Sequence, residues 1–121
     1  MLANKVQKWI EEGLLSSKTP LELGAGGIKR CSKITTVDFL PYHHPDYLWD
    51  LNKYPWPLPD NYYDYVILSN ILEHIVHIVP FMQELHRICT PSANIRIVSP
   101  HFSNPFSFAD PTHHHFFLYL L

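Results

Sequence analysis

The sequence predicts a three-layer α/β sandwich around a mainly parallel sheet of about five strands. Three observations point there. Short apolar and β-branched runs alternate with helical or loop segments, the pattern of parallel strands joined by crossovers. The first of these runs ends in a glycine turn, Gly24-Ala25-Gly26-Gly27. The later runs close on polar residues, Asp38, Asp50, and Ser69 with Asn70. Ligands of open α/β sheets bind outside the carboxyl ends of the strands, where these groups fall.

The elements follow in order. Residues 2–15 form an amphipathic helix with Leu2, Val6, Trp9, Ile10 and Leu14 on one face, stopping near Gly13. Pro20 to Leu23 lead into the first strand, Ile34 to Phe39 form the second, and Tyr47 to Leu51 the third. Pro55, Pro57 and Pro59 make residues 53–61 a loop. Tyr63 to Ser69 are almost continuously apolar, as a strand covered on both faces must be. Beyond it Ile71, Ile75, Ile78, Met82, Leu85 and Cys89 recur at helical spacing. Pro80 breaks that pattern into a short turn at 71–77 and a helix beginning near the proline. Thr90 to Ala93 form a turn, Asn94 to Ser99 the fifth strand, and an apolar end, Phe116 to Leu121, follows a loop.

Composition narrows the function classes. At 121 residues the chain is one domain, and its 46% apolar and 17% charged content belongs to a folded globular protein. A net charge of −2 offers no electrostatic footprint for nucleic acid or anionic membrane. No apolar run reaches the roughly 18 to 20 residues that span a bilayer. Cys31 and Cys89 have neither disulfide-framework nor zinc-knuckle spacing, so the expected compartment is the cytoplasm. The cluster Lys29, Arg30 and Lys33 reads as a solvated loop.

Taken together, the strand-end groups describe a nucleoside lying across the sheet. The glycine turn lets backbone approach a ligand closely; a carboxylate at Asp38 can accept both hydroxyls of a ribose, and one at Asp50 can reach an adenine edge. A dinucleotide fingerprint needs a third glycine and a helix N-terminus for its pyrophosphate. Here the third glycine position is Lys29, and only Ile28 to Lys33 separate the turn from the second strand. A cofactor without phosphates loses nothing by that absence, which favours S-adenosylmethionine over NAD.

These segments carry a family resemblance. LELGAGG, TTVDF and DLNKYPWPLPDNYYDYVILSNILEHI, followed by ELHRICTPSANIRIVSPHF, resemble the class I S-adenosylmethionine-dependent methyltransferases, in particular the small type-11 branch. The likeness runs from about Thr19 to His101. It implies a Rossmann-like sheet in the order 3-2-1-4-5. It also implies that Glu22, Gly24, Ala25 and Gly26 cradle the methionine and ribose portion of the cofactor. Asp38 would bind the ribose hydroxyls with Phe39 beside the adenine, Asp50 and Leu51 would lie near the adenine edge, and Ser69 and Asn70 would end the fourth strand facing the cofactor. Glu73 and His74 match an LEH element at the entrance to the site, and His74 is the first candidate for a general base. The sequence departs from the branch in its short 28–33 connection and in TPSAN, where a Pro-Gly-Gly turn is usual.

Blander readings stand beside these. Ser69 and Asn70 could cap the next helix, and His74 could be an ordinary helix residue. A non-catalytic cofactor-binding descendant is the main alternative to an enzyme. A second is a metal-binding protein using Asp110, His113, His114 and His115 with His101, although adjacent histidines point apart and at most two of the three could converge on one ion. No metal is therefore assigned. Complete members of the branch continue with another helix and two strands, so the fifth strand is expected to be an open edge. The chain is accordingly expected to form a homo-oligomer through that strand or through the C-terminal segment. The methyl acceptor is not legible.

Overall fold

A computed structural model describes residues 2–99. Helix α1 spans Leu2–Ser16, and five strands follow: β1 Pro20–Leu23, β2 Thr35–Asp38, β3 Tyr47–Leu48, β4 Tyr63–Ser69 and β5 Cys89–Val98. Helix α2, Ile78–Ile88, lies between β4 and β5, and single 3-10 turns occupy Pro41–His43 and Leu72–His74. The strands form one parallel sheet in the order β3-β2-β1-β4-β5, the predicted order. No helix interrupts the path from β1 to β2, as the short connection requires.

Three layers follow from the apolar pattern. Along β4, Val66 and Leu68 enter one core with Phe81, Leu85 and Ile88 of α2, while Tyr65 and Ile67 enter a second with Ile10 and Leu14 of α1. Successive strand residues face opposite sides, so a strand apolar throughout is one covered on both. The proline-rich loop contributes to the α2 side through Trp56 and Leu58, buried at 3% and 4% exposure. Arg87 ties that loop to α2 by donating to the carbonyls of Trp56 and Leu58 and to Glu84.

Four details depart from the expectations. Helix α1 continues through Gly13, where a Cβ would overlap the Tyr65 ring; the glycine admits the ring instead of ending the helix. On α2 the buried residues are Phe81, Leu85 and Ile88, while Met82 is 41% exposed. A helical phase counted from Ile71 does not survive the 3-10 turn and extended backbone that precede Ile78. Strand β3 is only two residues long, so Asp50 lies in the loop that follows it. Finally, Thr90 to Ala93 belong to β5, which pairs Cys89 with Tyr63 and Asn94 with Tyr65. Five steps on β5 thus stand against two on β4, a bulge in place of the expected turn.

Candidate functional site

The polar strand ends converge because the strands are parallel and in register. Leu23 pairs with Val37 and with Leu68, so Gly24, Asp38 and the end of β4 emerge on one edge of the sheet. Gly24 and Gly26 both have positive φ, 71° and 67°. At Gly24 a side chain is excluded twice, by that backbone and by Ile71, whose side chain occupies the space a Cβ would need. The Gly24 and Ala25 amides donate to the Val37 carbonyl at 2.7 and 3.2 Å.

Asp38 is the organising group. It is 6% exposed, and its carboxylate accepts the Gly26 amide at 2.7 Å and the Leu40 amide at 2.9 Å. His43 Nδ1 lies 3.3 Å from the same carboxylate, although not aligned as a hydrogen bond. The acid at the end of β2 therefore sets the shape of the glycine turn as well as facing the space above it. Asp50 turns its own loop by accepting the Asn52 amide at 2.9 Å.

Above these groups lies a cavity of about 480 Å³. Of the residues singled out in the sequence, Gly24, Gly26, Asp38, Phe39, Asp50, Leu51, Asn70 and His74 line it. Glu22, Ala25 and Ser69 do not. Glu22 is 3% exposed and pairs through both carboxylate oxygens with Arg30, at 2.8 and 3.2 Å. Burial pushes its pKa up, an effect only partly offset by the Arg30 fork. With Ala25, Glu22 lines a separate cavity of about 370 Å³ against α1. Ser69 remains in the ladder opposite Val98. Asn70 is not a helix cap: it adopts positive φ, 57°, donates its amide to Val98 O, and the 3-10 turn Leu72–His74 has Ile71 as its N-cap residue with no side-chain cap.

Other residues emerge only from the structure. His43, Trp49, Asn52 and Ile71 line the main cavity. None carries a local motif; their signal is position on loops that follow strand ends. Glu73 is buried at 1% exposure, accepts the Ser99 hydroxyl at 3.1 Å, and has its other oxygen 3.9 Å from His74 Nε2. In the basic cluster Lys29 and Lys33 are exposed, as expected of a solvated loop, while Arg30 is drawn partly inward. Arg30 is held by Glu22 and Gln7, Lys33 donates to the Ser17 carbonyl, and Lys29 pairs with Asp46 at 3.1 Å. Asp110 and the histidines at 101 and 113–115 lie outside the described residues, as does the C-terminal apolar segment. Among the described residues no three metal-ligating side chains cluster, and no helix is long and apolar enough to cross a membrane.

The model of a methyltransferase domain matches residues 25–97. The chain belongs to this methyltransferase domain family. Solved structures agree with the family fold. A SAM-dependent methyltransferase from Archaeoglobus fulgidus superposes with a TM-score of 0.71 at 21% identity, covering 91% of this chain and 60% of its own. The YcgJ protein from Bacillus subtilis gives 0.68 at 13% identity, covering 94% and 62%. The trans-methyltransferase CalH in complex with SAH gives 0.52 at 18% identity, covering 64% and 30%. The chain thus spans about 60% of the length of the Archaeoglobus protein. The curated proteins contain no match. These solved structures share the fold of this chain.

Proposed function

We propose that the chain binds S-adenosylmethionine in the 480 Å³ cavity and serves methyl transfer to an acceptor. The observation that carries this reading is the lining itself: a glycine turn and two carboxylates, Asp38 and Asp50, with no lysine or arginine among the described residues that form it. A pyrophosphate would meet negative charge with no lysine, arginine or α-helix N-terminus among the described lining residues to hold it. A nucleoside carrying a cationic sulfonium meets compatible charge. CalH, one of the structural neighbours, is in complex with SAH.

In this reading Asp38 accepts the ribose hydroxyls with the lone pairs its backbone bonds leave, and Phe39 and Leu51 flank the adenine. Asp50 reaches the adenine edge, and Gly24 and Gly26 keep the turn free of side chains where the ribose and methionine portion passes. Asn70 offers its side chain at the end of β4. Glu22 contributes indirectly, holding Arg30 and the loop behind the turn. When bound, the cofactor would supply a methyl group for an acceptor lone pair to attack at carbon, the methyl–sulfur bond breaking and S-adenosylhomocysteine leaving. The chain's own part is alignment and exclusion of water. His74 stands on the cavity wall to take a proton from an acceptor that must lose one.

Calorimetric titration tests the reading. S-adenosylmethionine and S-adenosylhomocysteine are expected to bind and NAD to give no heat; NAD binding without response to either sulfur nucleoside overturns it. Formation of S-adenosylhomocysteine with an acceptor separates an enzyme from a binding protein. We further propose a cytoplasmic protein that self-associates through β5, which ends the sheet among the described residues and bears Ile95 at 36% exposure. Light scattering at high micromolar concentration checks this, and a clean monomer removes it.

A further inference from the structure

Two loops that line the main cavity meet at one exposed side chain. Asp50, Leu51 and Asn52 after β3 line one wall, and Ile71, His74 and Ile75 after β4 line another. Asn52 joins them. Its Oδ1 accepts the Val76 amide at 2.9 Å and its Nδ2 donates, at 3.5 Å, to the His74 carbonyl. The Asn52 amide in turn donates to Asp50 Oδ1 at 2.9 Å. One hydrogen-bonded chain therefore runs from the acid on one wall to the backbone of the candidate base on the other.

The fold does not need this bridge to hold the loops together. Leu51, Trp56, Leu72 and Ile75 already pack in one buried cluster beneath it. What the bridge adds is alignment at the surface of the cavity. The position calls for an acceptor and a donor on one short side chain. Aspartate keeps the acceptor for Val76 but sets a carboxylate oxygen against the His74 carbonyl, and alanine keeps neither.

We propose that Asn52 is a positioning residue that couples the Asp50 wall to the His74 wall, so that a ligand ordering Asp50 also fixes the backbone at His74 and Val76. The inference rests on the cofactor reading above. Its test is amide hydrogen exchange at Val76 in the full chain, with and without saturating S-adenosylhomocysteine, for the wild type, Asn52→Ala and Asn52→Asp. The ligand is expected to slow Val76 exchange about three- to tenfold in the wild type, the range of one hydrogen bond. Asn52→Asp should keep part of that response and Asn52→Ala should lose it, each variant compared at a concentration of S-adenosylhomocysteine that saturates it. A response kept in full by Asn52→Ala overturns the coupling and leaves the cofactor reading intact. So does its absence from a wild type that binds. Failure of the wild type to bind overturns both.

Discussion

The Asp38 carboxylate accepts the Gly26 amide at 2.7 Å, so the acid that ends β2 holds the turn that ends β1. The same carboxylate accepts the Leu40 amide at 2.9 Å and lines the cavity. One side chain thereby carries both a structural and a proposed binding role, and substitutions there must report on both.

Asp38→Ala should weaken S-adenosylhomocysteine binding by about 1.5 to 3 kcal/mol, the range of hydrogen bonds to a charged group. Two part-buried backbone donors also lose their acceptor, so the melting temperature should fall, contrary to what an exposed strand-end acid would give. Calorimetry and thermal unfolding of the same variant measure the two effects. Unchanged affinity in a folded variant places the ribose elsewhere.

Gly24→Ala should destabilise the chain by about 1 to 3 kcal/mol, because it forces positive φ on alanine and crowds Ile71. Adding Ile71→Ala should relieve the crowding but not the backbone strain, so the double variant recovers only part of what additive losses would predict. Denaturant midpoints of the four proteins of this cycle decide it; purely additive losses would mean that Ile71 does not limit the turn.

Arg30→Met should destabilise strongly, about 3 to 5 kcal/mol, because it leaves the Glu22 carboxylate buried without its partner. Glu22→Gln with Arg30→Met should restore much of that loss by removing the stranded charge. If Glu22 acts only through Arg30, the restored double variant binds S-adenosylhomocysteine nearly as the wild type does. A large loss of affinity in that folded protein would give Glu22 a direct contact.

Asp64 links pH to stability. Burial raises its pKa, but the Ser17 hydroxyl and the Lys18 and Thr19 amides outweigh that and hold it below the ordinary value of 3.8. A depressed folded pKa stabilises above 3.8 and loses that contribution as pH falls through the folded value. Glu22, raised above 4.5, acts in the opposite sense: its contribution is greatest below 4.5 and is lost as pH rises through its folded value. Urea unfolding from pH 6 to pH 2.5 should show Asp64→Asn losing less stability than the wild type over the acid limb below pH 4. Equal acid limbs would remove Asp64 as the linked group.

The order of strands was legible through the family resemblance, and the strand ends and turns were legible because they depend on local chemistry. Glycine at positions 24 and 26, acids at 38 and 50, and the apolar run through β4 act within a few residues of themselves, so their pattern alone predicts a strand end, a turn or a covered strand. Where each side chain goes afterwards depends on neighbours distant in sequence. Glu22 is drawn to Arg30 by charge in a buried setting, which removes it from the main cavity. Gly13 is set by the Tyr65 ring, a contact across 52 positions that no helical pattern contains. His43 and Asn52 enter the cavity only because a parallel sheet brings loops after β2, β3 and β4 to one edge. The sequence by itself determined an α/β sheet with a ligand edge. The tertiary structure alone decided which polar groups face that edge, because burial forces the others to pair elsewhere.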